Sequence, residues 1–121
     1  METIFLIGRI ILGGYFLYNA YNHFTELDAL TGYAQSKKVP HAKVGVIVTG
    51  LMLLFGGAAV LTGIFMVTGA WALIIFLVAT SIMMHAYWKI ADPMNKMNER
   101  INFQKNMALV GALLVIIALR M

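Results

Sequence analysis

Three histidines, His23, His41 and His85, are the side chains in this sequence best suited to moving protons near neutral pH or to holding a metal. Their placement argues against a metal. Each falls on a different segment, no two stand four residues apart, and there is no cysteine to complete a thiolate set. The absence of cysteine also excludes thiol–disulfide exchange, thiolate nucleophiles and iron–sulfur clusters. What remains is hydrogen-bonding chemistry. Asn19, Asn22 and His23 close one apolar run, Asn106 opens another, and His85, Trp88 and Asp92 follow one another at three- and seven-residue steps, one face of a helix. Imidazole and amide groups hydrogen-bond a quinone carbonyl or a lipid phosphate, while tryptophan and tyrosine line an apolar slot. An imidazole can also carry the proton that quinone reduction requires. The candidate ligand-binding residues are therefore His85, Trp88, Asn106, His23, Asn22 and Asp92.

These groups meet only if the segments carrying them run side by side. The chain has 121 residues, 61% hydrophobic and 12% charged, with a mean hydropathy of +0.83. A soluble domain carries roughly 25% charged residues, so this chain cannot cover a water-facing surface. Val44 to Trp88 contains no acidic residue, lysine or arginine, about twice the ~20 residues that one crossing of a bilayer needs. Thr62 to Gly69, rich in glycine and threonine, marks a tight turn in its middle. The purely apolar stretch Met107–Leu119 is too short to span alone, so its helix must start near Ile101 or Phe103. That start carries Lys105 and Asn106 to the membrane surface or into it; Lys105 can snorkel outward, whereas Asn106 must face other helices. The expected architecture is an all-α integral membrane four-helix bundle with spans at about residues 3–23, 43–65, 67–89 and 102–120, in a single domain. The first run reads as a retained span rather than a signal peptide, since Glu2 is acidic, Arg9 interrupts the run and no small-residue cleavage site follows.

Short interfacial helices are expected in the 1–2 and 3–4 connections. Leu27, Leu30, Tyr33 and Ala34 repeat at helical spacing in the first. In the second, Asp92-Pro93 reads as an N-cap followed by proline at the first helical position, with Met94, Met97 and Ile101 as an apolar stripe. Seven of the nine lysines and arginines lie in these two connections, which an even number of spans puts on one side. The positive-inside rule makes that side cytoplasmic and both termini external. The basic residues are spread between apolar runs rather than gathered on one face, which speaks against nucleic acid. Arg9 sits roughly 9 Å into the first span, where its charge needs an anion: Glu2, the C-terminal carboxylate, or an anionic ligand. Gly50, Gly56, Gly57, Ala59 and Gly63 make the second span narrow enough for close helix packing.

Several fragments occur in a telling order: Gly8-Arg9-Ile10, Tyr21-Asn22-His23-Phe24, Tyr33-Ala34 with Val39-Pro40, Phe55-Gly56-Gly57 with Leu61-Thr62-Gly63, His85-Ala86-Tyr87-Trp88 with Asp92-Pro93, and Gln104-Lys105-Asn106-Met107-Ala108-Leu109. In these the chain resembles the DoxX family of small bacterial membrane proteins over nearly its whole length. The resemblance implies a four-helix bundle in the bacterial inner membrane, with some relatives linked to quinone-coupled oxidation of sulfur compounds or to oxidoreductase assemblies. It makes quinone the candidate cofactor, and lipid, an oxidoreductase subunit or a second copy the candidate partners. No other cofactor site is evident, so a stand-alone enzyme is not expected. Two readings of the polar residues stand open: a head-group site, or a hydrogen-bonded staple that only fastens helix ends. A small transporter is a third class, disfavoured because four helices leave little room for alternating access.

Overall fold

The computed structural model describes residues 2–120. Helix α1 spans Glu2–Thr25, α2 Leu27–Ser36, α3 Ala42–Thr62, α4 Met66–Met84 and α5 Pro93–Arg120, with a 3₁₀ turn at Tyr87–Lys89 between the last two. Helices α1, α3, α4 and α5 are each long and apolar enough to cross a membrane. Their inner faces meet around Phe16, Leu53, Leu73, Leu77 and Leu113, all at most 2% exposed. Their outer faces carry Ile4, Ile11, Val44, Leu51, Ile75 and Val115, each more than half exposed. So much bare aliphatic surface on every side of a small chain is stable in lipid and not in water.

Glycines set the helix spacing. A Cβ on Gly13 would stand 2.8 Å from the Leu61 backbone nitrogen and 2.9 Å from the Gly57 carbonyl oxygen, so α1 lies directly on the α3 backbone. On the other side of α3, a Cβ on Gly56 would collide with the Leu73 side chain, and one on Gly69 with Ala59. This is the close approach that small residues permit where lipid supplies no hydrophobic drive between helices. Gly63 has a different role from the packing expected of it. It caps α3 with φ +79°, its N–H bonding the Ala59 carbonyl at 2.9 Å, and starts the three-residue turn into α4.

Two connections differ from expectation. Helix α4 ends at Met84, five residues before the expected end of its span, and the chain passes through His85 into the 3₁₀ turn. The expected second interfacial helix is not separate but the first turns of α5. Twenty-eight residues reach about 42 Å, more than the ~30 Å hydrocarbon core, so these turns project beyond it. Their start is as the sequence indicates: Pro93 is the first helical residue, and the Asp92 carboxylate accepts the Asn95 N–H at 3.0 Å. Helix α2 lies across the same end, against α3.

Candidate functional site

The connection end of the bundle is organised by one buried carboxylate, Glu99, 6% exposed on the second turn of α5. Its Oε2 accepts the Tyr33 hydroxyl at 2.6 Å, from α2, and the ammonium of Lys37, the α2 C-cap, at 2.8 Å. Its Oε1 accepts the Asn102 amide at 3.0 Å and the His85 Nδ1–H at 3.1 Å. Each oxygen therefore receives two donors, and one carboxylate ties α2, the end of α4 and α5 together. Partial burial, and then the neighbouring carboxylate, push the Tyr33 phenol well above its usual range, so it remains a donor.

Beside this hub lies a cavity of about 390 Å³, walled by all five helices and mostly apolar: Phe16, Leu30, Val46, Leu53, Phe76 and Leu77 are part of its lining. Its polar groups come from every helix: Tyr15, Asn19 and His23 from α1, Tyr33 from α2, Thr49 from α3, Thr80 and the cap residue His85 from α4, and Lys105 and Asn106 from α5. The His23 Nδ1 lies 3.0 Å from the Val46 carbonyl oxygen and 3.3 Å from Thr49 Oγ1. A carbonyl only accepts, so Nδ1 carries the proton and Nε2 is left free. His85 is held likewise, its Nδ1–H spent on Glu99. Asn106 is 5% exposed, and among the described residues its amide has no hydrogen-bond partner. An amide that faces the cavity without a protein partner has its hydrogen-bonding capacity open to whatever occupies that space. The size and the mixture of apolar wall with a few convergent polar groups are those of a small-molecule site.

Of the six residues expected to bind a ligand, the fold brings His23, His85 and Asn106 to the cavity. The other three stand elsewhere. Because α4 stops at Met84, the common helical face of His85, Trp88 and Asp92 does not exist. Trp88, 51% exposed, packs edge-on against Tyr87 and Phe103 at centroid distances of 5.3 and 5.6 Å. Asp92 is exposed and acts as the α5 cap. Asn22 is partly buried away from the cavity, its carbonyl accepting the Glu26 N–H at 2.8 Å. The hub residue Glu99 is not among the residues expected at the site. A signal for it existed: Glu99, Asn102 and Asn106 recur at three- and seven-residue steps, a polar stripe running into an apolar span.

At the opposite end Arg9 finds neither a carboxylate of Glu2 nor an ion pair of any kind among the described residues. Its Nε and one terminal nitrogen donate to the Val60 and Leu61 carbonyls, each at 3.2 Å, satisfying the last turn of α3. The C-terminal carboxylate, the other expected partner, belongs to Met121, outside the described residues. Arg9 and Arg120 both stand over the Phe5 ring, at 5.6 and 4.3 Å from its centroid.

The family model described as DoxX matches residues 4–86, covering α1 to α4 and the His85 cap but leaving α5 outside, less than the nearly full length indicated by the fragments. Neither a curated protein nor a solved structure matches the chain.

Proposed function

The chain belongs to the DoxX family of membrane proteins, and from that premise we propose that it binds a membrane-soluble molecule non-covalently, a quinone or a lipid, with the polar head in the cavity between His23, His85 and Asn106. The observation that carries this reading is the Asn106 amide, on the wall of a mostly apolar cavity of about 390 Å³ and without a hydrogen-bond partner among the described residues. A staple reading of the same end fits Glu99, whose four donors leave it nothing to offer a ligand. It does not fit Asn106. The two roles are divided: Glu99 fastens the helix ends, and the groups around the cavity receive the ligand. Association with an oxidoreductase partner follows from this reading only if the ligand is a quinone, since the chain has no thiol and the described residues form no cluster of metal ligands.

The test is native mass spectrometry of protein extracted gently from its own membrane, with lipid and quinone analysis of the same sample. A defined small molecule retained at one per chain supports the reading; a clean protein mass after every mild extraction contradicts it. We place the cavity end on the cytoplasmic side of the inner membrane because seven of nine basic residues lie there. The chain has no cysteine, so a Lys38→Cys variant tests this directly. Labelling by an impermeant thiol reagent only after the inner leaflet is opened is the expected result; labelling of intact spheroplasts reverses the orientation.

A further inference from the structure

The charge balance around the cavity restricts the head group, an inference that rests on the binding site proposed above. Among the described residues no aspartate or glutamate lines the cavity, and Lys105 does. The buried carboxylate beside the cavity, Glu99, is already balanced by Lys37 at 2.8 Å. Lys105 has no ion pair among the described residues. Its ammonium does not run outward along α5, as its length allows, but reaches across to α1 and stands 5.9 Å from the centroid of the Tyr15 ring, the outer limit of a cation–π contact. Tyr15 is ten residues before the end of α1 at Thr25, a distance of about 15 Å. That helix of 24 residues, roughly 36 Å long, overshoots the ~30 Å hydrocarbon core by only about 6 Å. The ammonium therefore lies at a depth where lipid tails surround the bundle, and an unpaired cation there is costly.

The same place is the least closed seam of the bundle. Helices α1 and α3, α3 and α4, and α4 and α5 pack closely, whereas α1 and α5 hardly approach each other. Lys105 and Tyr15 meet across that seam, and both are exposed and line the cavity. The lining around them is rich in donors: the hydroxyls of Tyr15 and Thr80, the Asn106 amide, and the second N–H of Asn19, whose first is spent on the Tyr15 carbonyl at 2.8 Å. We infer that the cavity selects an amphiphile with an anionic oxygen head, a carboxylate or a phosphate, whose charge pairs with Lys105 at the α1–α5 seam. An anion cancels the uncompensated charge of the lining, and its several acceptor oxygens meet the hydroxyl and amide donors. A neutral head of the same size leaves the ammonium without a counterion.

The test titrates the full-length protein, purified in neutral detergent, with oleate, 1-oleoyl-lysophosphatidate and oleyl alcohol, and reads occupancy by native mass spectrometry. The expected result is one anion per chain, bound about tenfold more tightly than the alcohol. Lys105→Gln should weaken the anions about tenfold and leave the alcohol unchanged, while Lys105→Arg keeps the preference. Lys38→Gln removes the same charge from an exposed residue outside the cavity and should change neither. The tighter of the two anions identifies the head as carboxylate or phosphate. Alcohol binding as tight as that of the anions, or equal losses in Lys105→Gln and Lys38→Gln, overturns the anionic inference while leaving a binding cavity. Failure of all three probes to bind overturns it as well, and the cavity reading falls with it when the gently extracted protein also shows a clean mass.

Discussion

The two ends of this bundle are held together by opposite means. At the end bearing the chain termini, helices touch backbone to backbone through Gly13, Gly57, Gly56 and Gly69, and the half-buried charge of Arg9 is absorbed by main-chain carbonyls. At the connection end, side chains from α2, the α4 cap and α5 converge on Glu99 and the helices stand apart around a cavity. Small residues bring helices as close as they can come, so an end built from them has no room for a guest. Long polar side chains fasten helices at a distance and preserve a space. A satisfied carboxylate is therefore how this fold keeps its helix ends joined without filling the interior.

The largest expected effect is at the hub. Glu99→Ala leaves Lys37, Tyr33 and the His85 Nδ1–H without their acceptor and should destabilise the protein by about 3–5 kcal/mol, read from unfolding in detergent. A loss below about 1 kcal/mol would show that the connection end is held by packing after all. Next comes the glycine seam. Gly13→Ala pushes a methyl group into the backbone of α3, which cannot swing away, and should cost about 2 kcal/mol. Gly111→Ala, with nothing within 4 Å of the added carbon, should be neutral or slightly stabilising in the same assay. Equal effects at the two glycines would remove the contrast between the ends. Arg9→Leu deprives the Val60 and Leu61 carbonyls of their donor and should cost about 2 kcal/mol without altering ligand retention. The smallest effect is expected at Trp88. Its substitution by leucine should change stability by no more than about 0.5 kcal/mol and leave any retained ligand in place, because the indole lies outside the cavity.

How much of this was legible in the sequence depends on the range of the signal. The four spans follow from long apolar runs between charged connections, and the start of α5 from Asp92-Pro93, a local cap and an N1 proline. Both are patterns that a short window contains. The end of α4 at Met84 is not: no glycine or proline stands there, and the chain leaves the helix where His85 turns toward Glu99. Glu99 itself looks like any acid on a polar helix face, because what buries it lies in α2; Tyr33 is 66 positions away. The depth of Arg9 was readable, but its partners were not. Val60 and Leu61 receive it through main-chain oxygens, which every residue has and no side-chain pattern marks. Of the candidate site, His23 and Asn106 were indicated by their own polarity within apolar runs. Trp88 and Asp92 were grouped with His85 only by assuming that the helix continued.

The central claim is that the Asn106 wall of the cavity serves a guest and not the fold. The direct measurement is Asn106→Leu, followed by unfolding midpoint and by native mass spectrometry on the same preparation. Replacing a buried, unpartnered amide with an apolar group of similar size should hold or raise the midpoint, while the small molecule retained by the wild type disappears. A midpoint lowered by several degrees, with the bound molecule still present, would make Asn106 part of the framework and contradict the account.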